Sequence, residues 1–331
     1  MTTLITGGAG FIGYHLAARL IEAGEDVIAI DNLNTYYSQQ LKRDRVADLQ
    51  ERYGDRFHFL EVDFAKHEVL EAALAPYSFD RIAHLGGQPG VRYSIENPRA
   101  YVEANLLGHL NMLEVARHRA LPMVYASSSS VYGNNKSLPF RVEDRVDHPV
   151  SLYAATKKAD EMMSETYAHL YRIPLTGLRF FTVYGPWGRP DMAPWLFTEA
   201  ILTGKPIKVF NNGLMRRDFT YADDIVAGVA ASLDHPPADD GTAKSGGSVA
   251  PHRIYNIGNN RSEELGRFIA VIEQACGRTA IKENLPMQPG DVKETFADID
   301  AIAGDLGYAP TTTIDVGVPR FVDWFRGYHG V

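Results

Sequence analysis

The sequence contains a single cysteine, Cys276, among 331 residues. One cysteine cannot form an intrachain disulfide, and the lack of a Cys-x-x-Cys pair excludes the common cysteine-based zinc and redox sites. No apolar run approaches the ~18 residues that span a bilayer, and the first residues lack the basic and apolar regions of a signal peptide. The eleven histidines show no metal-binding spacing such as His-x-x-x-His. We therefore expect a cytoplasmic protein without a membrane segment or a metal site.

Positive charge is also in short supply. The 33 basic residues do not balance the 41 acidic ones, which leaves a formal net charge of -8. Such a field repels nucleic acids and anionic lipid surfaces, so neither is an expected partner, and any anionic ligand must be bound by local donors. The composition, 45% hydrophobic and 22% charged, is typical of globular proteins, and the length suggests about two domains.

Short apolar segments alternate with helical patterns through the first half of the chain. The strand candidates are Leu4–Ile5, Val27–Ile30, Phe57–Val62, Arg81–Leu85, Met123–Ala126 and Leu175–Phe181. The helical patterns lie near Phe11–Ala23, Val69–Leu74, Tyr101–Ala116 and Tyr153–His169. This alternation predicts an α/β fold with a doubly wound, Rossmann-type parallel sheet.

The pattern changes after about residue 186, where prolines separate shorter elements. Ile225–Leu233 is typical of a helix, and Arg253–Ile257 is typical of a strand that returns to the main sheet. We therefore expect a smaller, discontinuous α/β lobe of loops and short helices. Residues 1–186 and 218–258 are predicted to form the Rossmann domain, and residues 187–217 and 259–331 the second, interleaved domain.

A glycine-rich turn joins the first strand to the first helix. Gly7 permits a tight turn, Gly10 lets the backbone approach a pyrophosphate, and Gly13 lets the helix pack against the strand. Asp31 ends the second strand, where a carboxylate accepts hydrogen bonds from ribose hydroxyls and repels a 2'-phosphate. These features predict a dinucleotide site that prefers NAD to NADP.

Further candidate NAD contacts flank these positions. Asp63 ends the third strand and is consistent either with an adenine ligand or with an ordinary strand-end carboxylate. The remaining candidates in this group are Phe11, Ile12, Asn32, Phe64 and Leu85.

Tyr153 and Lys157 lie four residues apart in a helical pattern, on one helix face. Alone, such a pair is typical of an exposed helix surface, but the serine run Ser127–Ser130 ends a buried strand, where open parallel sheets bind ligands. A phenol that acts as a base near neutral pH needs its phenolate stabilised by about 4 kcal/mol. A cation at ~4 Å supplies about that much at an effective dielectric constant of ~20. The three groups predict a proton-transfer site.

The sequence resembles the extended short-chain dehydrogenase/reductase family over nearly the whole chain, and within it the nucleotide-sugar 4-epimerases, above all those that act on UDP-glucuronate. The motifs that carry this resemblance are the glycine turn, the serine run with Val131-Tyr132-Gly133, the Tyr153 and Lys157 pair, Arg179–Pro186, Arg217-Asp218-Phe219 and Gln288-Pro289-Gly290-Asp291.

The resemblance implies roles for particular residues. It makes Tyr153 the catalytic base, Lys157 its partner and Ser128 the catalytic hydroxyl, and it implies that Tyr153 and Lys157 also contact the NAD. It places Asn105 near the cofactor and Arg217 on the diphosphate of the substrate. It also implies a homodimer that pairs the helices near 101–117 and 153–170.

The choice of substrate depends on residues around the expected sugar site. Ser129 and Ser130 stand where dehydrating and decarboxylating members of the family carry an acidic residue, which favours epimerisation alone. Arg92 and Arg189 stand where hexuronate epimerases have arginine, whose guanidinium binds both oxygens of a carboxylate. Either arginine could instead be a solvated surface residue. The other implied substrate contacts are Ser128, Ser129, Ser130, Tyr153, Thr182 and Asp291.

We therefore expect an isomerase, an NAD-dependent 4-epimerase that interconverts UDP-glucuronate and UDP-galacturonate through a transient 4-keto sugar. One alternative is a UDP-glucose 4-epimerase, or another NAD-dependent nucleotide-sugar enzyme, in which Arg92 and Arg189 do not face the substrate. A non-catalytic NAD-binding scaffold is disfavoured, because it would not need Ser128, Tyr153 and Lys157 together.

Overall fold

The computed structural model describes residues 1–286 and 293–331. The strands are β1 (Thr2–Thr6), β2 (Asp26–Asp31), β3 (Phe57–Glu61), β4 (Arg81–His84), β5 (Met123–Ser128), β6 (Leu175–Phe180), β7 (Thr182–Tyr184), β8 (Pro206–Phe210), β9 (Arg216–Tyr221), β10 (His252–Ile257), β11 (Ser262–Glu264) and β12 (Ile281–Leu285). The helices are α1 (Phe11–Glu22), α2 (Gln39–Tyr53), α3 (His67–Leu74), α4 (Tyr93–Glu96), α5 (Pro98–Tyr101), α6 (Gly108–Arg119), α7 (Leu152–Tyr171), α8 (Ala193–Thr203), α9 (Ala222–Asp234), α10 (Leu265–Cys276), α11 (Asp300–Leu306) and α12 (Ile314–His329). A π-helical segment, Val102–Leu107, precedes α6.

Seven parallel strands form the main sheet in the order β10-β6-β5-β4-β1-β2-β3. The order reverses beside β1, which pairs with β2 on one edge and β4 on the other. Ligands bind at the carboxyl ends of the strands at such a switch point. The predicted doubly wound α/β fold is confirmed, and so is the return of Arg253–Ile257 to this sheet, because β10 pairs with β6.

Helices cover both faces of the sheet, so its strands are apolar on both sides. Successive side chains of β1 show this, since Leu4 belongs to one hydrophobic core and Ile5 to the other. The Ile5 core includes residues of α1 and α9, and the Leu4 core includes residues of α3 and α6. The sheet is therefore packed against helices on both of its faces.

The second lobe contains more strand than its sequence indicates. A three-stranded sheet in the order β11-β9-β7 and a two-stranded sheet of β12 and β8 lie beside α8, α10 and α12. Phe219 and Phe268 stack at its centre with ring centroids 4.0 Å apart. The prediction of loops and short helices was wrong here, because β9 begins with charged residues that hide its apolar side and α12 is a helix of 16 residues.

Helix α2 was also missed. Only five of its 15 residues are buried, so its sequence is polar on most sides and lacks a clear apolar stripe. Its N-terminus is capped by Ser38, whose hydroxyl accepts a hydrogen bond from the Leu41 N–H. Among all the helices in the described residues, none is both long and apolar enough to cross a bilayer.

Candidate active site

The glycine turn brings β1 to the start of α1. Gly7 has a φ of +69°, and a side chain there would meet the Gly86 backbone at 2.8 Å. A Cβ at Gly13 would lie only 2.2 Å from the Gly7 carbonyl oxygen. Because Gly10 caps α1 without a side chain, the first N–H groups of the helix are left for an anion.

A cavity of about 250 Å³ opens beside this turn. The predicted cofactor residues that line it are Gly7, Gly10, Phe11, Ile12, Gly13, Asp31, Asn32, Asp63, Phe64 and Leu85. The predicted catalytic and substrate residues that line it are Ser128, Tyr153, Lys157 and Arg189. The structure thus brings the glycine turn, the Tyr-Lys pair and one candidate arginine into one crevice.

The base of the crevice is fixed by α7. Ser151 caps this helix and accepts a hydrogen bond from the Ala154 N–H, which sets its first turn beside the cavity. The Lys157 ammonium donates to the Ala126 carbonyl oxygen on β5 at 2.9 Å. Lys157 is almost fully buried. The ammonium is therefore held at the carboxyl end of β5, one helical turn from Tyr153.

Ser128 ends β5, and its hydroxyl is already oriented. Its oxygen accepts a hydrogen bond from the Ser130 N–H at 3.2 Å, and its hydroxyl donates to the Ser130 hydroxyl at 3.1 Å. The hydroxyl of Ser128 is thus part of a short chain that can pass a proton or share one with a ligand oxygen.

A buried ion pair locks α7 to the sheet. Arg179 on β6 donates to both carboxylate oxygens of Glu161, at 2.8 and 2.9 Å, and both side chains are at most 2% exposed. Ser127 donates a further hydrogen bond to Glu161 at 2.7 Å. Burial would raise the pKa of Glu161, but the hydrogen bonds and charge of Arg179 lower it overall. Glu161 is therefore ionised, and the Tyr-Lys helix is fixed against β5 and β6.

The ribose end of the cavity contains Asp31. Burial raises the pKa of this carboxyl, and the nearby charge of Lys42 opposes the rise. The Leu33 N–H donates to Asp31 at 2.9 Å. Lys42 in turn donates to the backbone and side-chain oxygens of Asn34. Lys42 thus lies near the Asp31 carboxylate but donates its hydrogen bonds to Asn34.

Arg189 lines the cavity and is paired with Asp191. It donates to both carboxylate oxygens of Asp191, at 3.0 and 2.5 Å, and the Tyr36 hydroxyl donates to the same carboxylate. The side chain of Arg189 is 21% exposed, so part of it stays accessible. A carboxylate ligand at this arginine would have to share it with Asp191 or displace that residue.

Other predicted residues lie outside the cavity wall. Asn105 is buried behind it, where its side-chain oxygen accepts from the Gln88 N–H at 2.7 Å and its amide donates to Thr156. It therefore supports the loop that lines the cavity.

The remaining substrate candidates are not among the cavity-lining residues. Arg92 lies over the Phe210 ring, and Arg217 donates to the Arg216 and Lys293 carbonyl oxygens. Thr182 is half-buried at the start of β7. The others are Ser129 and Ser130, which form the turn after β5. Asp291 and the rest of Gln288–Asp291 lie outside the described residues.

The cavity also contains residues that the sequence interpretation missed, chiefly Asn34, Tyr36, Lys42 and Gln88. Asn34 and Tyr36 follow the carboxyl end of β2, and Gln88 follows that of β4. Their positions after strand ends could have identified Asn34, Tyr36 and Gln88 from the sequence, because open parallel sheets bind ligands at the carboxyl ends of their strands. Lys42 lies on α2, which the sequence did not predict. In the described ranges no group of three or more His, Cys, Asp or Glu side chains could hold a metal ion.

A doubly wound sheet whose glycine turn faces a serine, a tyrosine and a lysine at its switch point defines the class of dinucleotide-dependent Tyr-Lys enzymes. The model of the NAD dependent epimerase/dehydratase family matches residues 3–258, and the chain belongs to this family.

Several known proteins are similar to nearly the whole chain. The chain is 45% identical over 332 residues to a probable UDP-glucuronate 4-epimerase from Rhizobium meliloti, covering 98% of this chain and 97% of that protein. A solved UDP-glucuronic acid 4-epimerase from Bacillus cereus, in complex with UDP-glucuronic acid and NAD, is 32% identical, with a TM-score of 0.87 over 99% of this chain and 100% of that one. A UDP-glucose 4-epimerase from Thermotoga maritima, solved with UDP-glucose, is 27% identical, with a TM-score of 0.86 and the same coverage of both chains.

Proposed function

We propose that this protein is an NAD-dependent UDP-glucuronate 4-epimerase, which interconverts UDP-glucuronate and UDP-galacturonate through a 4-keto sugar. The observation that carries the proposal is the meeting of Ser128, Tyr153, Lys157 and Arg189 with the glycine turn in one cavity. The names of the Rhizobium meliloti and Bacillus cereus relatives support the choice of UDP-glucuronate.

The residues present fit NAD. The open N-terminus of α1 and the glycines around it suit a pyrophosphate, since a Cβ at Gly13 would occupy the turn. Asp31 suits the adenosine ribose, and Asn32, Asp63, Phe64 and Leu85 are proposed as further contacts. When bound, NAD supplies the acceptor and donor of the hydride at carbon 4 of the sugar.

The effect of Gly13→Ala tests this cofactor assignment. The added Cβ would lie 2.2 Å from the Gly7 carbonyl oxygen, so the turn must shift away from the position that suits a pyrophosphate. We expect NAD affinity to fall about tenfold or more, which corresponds to a loss of at least about 1.4 kcal/mol of binding free energy. Titration of the protein with NAD, followed by tyrosine and tryptophan fluorescence, measures this loss. Gly327→Ala is the matched control, because no other group approaches a Cβ there. Equal NAD affinity in the two variants would refute the assignment.

Residues of α7 and β5 are proposed to carry out the proton transfer. Tyr153 takes the proton of the sugar 4-hydroxyl as carbon 4 is oxidised and returns it when the 4-keto group is reduced on its other face. Lys157 stabilises the phenolate with its charge, and the Ser128 hydroxyl shares the proton on the sugar oxygen. Because the proton that leaves is the one that returns, the cycle needs no net exchange with solvent.

The sugar carboxylate requires a cation. We propose that Arg189 binds it, with Arg92, Thr182, Ser129 and Ser130 as further contacts. Ser129 and Ser130 offer hydroxyls instead of the acid that dehydration or decarboxylation would use. Arg217 and Asp291 are proposed to bind the UDP portion. Most of the binding energy would then come from UDP, which leaves the 4-keto sugar able to rotate before it is reduced on its other face.

The proposal extends to the organisation of the molecule. Residues 1–186 and 218–258 would bind NAD, and residues 187–217 and 259–331 would bind the nucleotide sugar. We propose a cytoplasmic homodimer, in agreement with the exposed apolar side chains Val102 and Leu107 before α6 and Met162 and Leu170 on α7.

One observation favours a second function, a UDP-glucose 4-epimerase. Asp191 already accepts hydrogen bonds from the Nε atom and one terminal nitrogen of the Arg189 guanidinium, so a neutral sugar would need no rearrangement there. The ratio of kcat/KM for UDP-glucuronate and UDP-glucose distinguishes the two functions. The proposal predicts a clear preference for UDP-glucuronate, whereas turnover of UDP-glucose alone would establish the second function. Turnover of neither would indicate a scaffold.

Arg189→Gln separates recognition of the carboxylate from the chemistry. The variant keeps hydrogen-bond donors but loses the charge, so KM for UDP-glucuronate should rise about 10- to 100-fold, the loss expected for a charge-assisted bond of 1.5–3 kcal/mol. The turnover of UDP-glucose, if detectable, should change far less. Initial rates over a range of both substrates supply the measurement. An equal effect on both sugars would mean that Arg189 acts on the fold and not on the carboxylate.

A further inference from the structure

A second buried carboxyl lies beside the Lys157 ammonium. Asp160 on α7 is fully buried, and its Oδ2 atom is 3.1 Å from the Lys157 Nζ atom. Its other oxygen, Oδ1, has no hydrogen-bond partner among the described residues. An unpaired buried carboxylate oxygen costs stability, so packing alone does not account for an aspartate at this position.

The next residue on α7 has different partners. Glu161 is held by Arg179 and Ser127 and accepts from Lys158 at 3.3 Å, whereas Asp160 accepts from Lys157. The Glu161 charge is thus largely balanced by its own cations. Asp160 is the carboxyl that shares the site with the Tyr-Lys pair.

Three titratable groups of neighbouring elements interact with Asp160 or Lys157 in the described residues, and all three are neutral near neutral pH. Burial and the Lys157 charge lower the pKa of His84 on β4 to about 3. Burial also lowers the pKa of His109 on α6 well below its usual value and raises that of Tyr125 on β5 well above its own. The charge near Lys157 is therefore governed by Asp160.

Asp160 itself can change charge near neutral pH. Burial raises its pKa to about 7, against the Lys157 charge, which lowers it, and with a smaller increase from Glu161. When ionised, the carboxylate cancels part of the Lys157 field. When protonated, it leaves Lys157 the full charge with which to stabilise a phenolate.

We propose that Asp160 is a positioning residue for the Tyr153 and Lys157 pair: it holds the ammonium against the Ala126 carbonyl oxygen, and its charge sets the pH range of proton transfer. This inference rests on the proposed function. Asp160 lies seven residues along α7 from Tyr153, about 10 Å. At that distance and an effective dielectric constant of ~20, one charge shifts a proton equilibrium by about one pH unit.

The substitution Asp160→Asn removes the charge and keeps the shape. Without the negative charge, the phenol loses its proton more readily and the ammonium is easier to deprotonate. Both limbs of the pH profile of kcat/KM should therefore move to lower pH, by up to about one unit. Asp160→Ala should shift the limbs equally, because the effect depends on charge and not on shape. Asp218→Asn, at a buried aspartate on β9 and not on α7, should leave both limbs in place.

A second readout needs no substrate. The near-ultraviolet absorbance of tyrosinate is measured against pH in the NAD-loaded protein. The absorbance change that is missing in the Tyr153→Phe variant is assigned to Tyr153. Its midpoint should fall in Asp160→Asn by the same amount as the limb of the rate profile.

An unchanged midpoint and unchanged limbs in both Asp160 variants would overturn the inference, even if stability fell. A protein that turned over no UDP-glucuronate would refute the proposed function instead, and the tyrosinate titration would still decide the role of Asp160.

Discussion

Replacing Tyr153 with phenylalanine is expected to lower the epimerisation rate about 10²- to 10⁴-fold, the usual contribution of a positioned acid-base group. The phenylalanine ring keeps the edge contact with Tyr101, whose ring centroid is 6.0 Å away. Only the oxygen that accepts the sugar proton is removed, so the loss should appear in kcat, with thermal stability unchanged. Turnover at saturating UDP-glucuronate is the measurement.

Tyr171→Phe is the matched control, because it makes the same chemical change in the last turn of the same helix. Its side chain is exposed and packs against Tyr167, so its rate should equal that of the unaltered protein. If Tyr153→Phe retained more than about a tenth of the activity, below the contribution expected of a general base, another group would have to be the base.

The second large effect concerns stability. Arg179→Met should destabilise the protein by about 3–5 kcal/mol, because it leaves the buried Glu161 carboxylate without its cation. The arginine donates two hydrogen bonds to Glu161, at 2.8 and 2.9 Å, inside the interface between α7 and β6. The shift of the denaturant midpoint, measured by circular dichroism, gives this loss.

Two further variants make the stability test specific. Arg179→Met combined with Glu161→Met should recover much of the loss, since no unpaired charge is left in the core. Arg145→Met breaks an ion pair with Asp147 in which the arginine is 86% exposed, so we expect a change of about 1 kcal/mol or less. A loss in Arg179→Met no larger than in Arg145→Met would show that the buried pair does not hold α7 in place.

Much of the fold could be predicted because its central strands are apolar on both faces. β1 and β5 read as strands from composition alone, and glycines mark the turn between β1 and α1. The return of the chain at β10 was also predictable, since a short apolar segment there follows a helix. Helix α2 was not predicted because most of its surface is polar. Strand β9 was not predicted because it forms through pairing with two neighbouring strands and has no hydrophobic run.

The candidate site was predictable wherever a residue follows the end of a strand or shares a helix face. Tyr153 and Lys157 share such a face, and Ser128 ends a strand. Contacts that depend on the path of a loop were not predictable. The pairing of Arg189 with Asp191 is one case. The support that Asn105 gives to the loop at Gln88 is another, since these residues are distant in sequence.

The most direct test of the account uses UDP-glucuronate labelled with deuterium at carbon 4 and follows the sugar by proton NMR. The account predicts UDP-galacturonate that keeps its deuterium at carbon 4, because the same hydride leaves and returns within one cavity. Retention should hold over many turnovers of the NAD-loaded protein. Product that has lost the label to solvent, a pentose product, or no product at all would contradict the account.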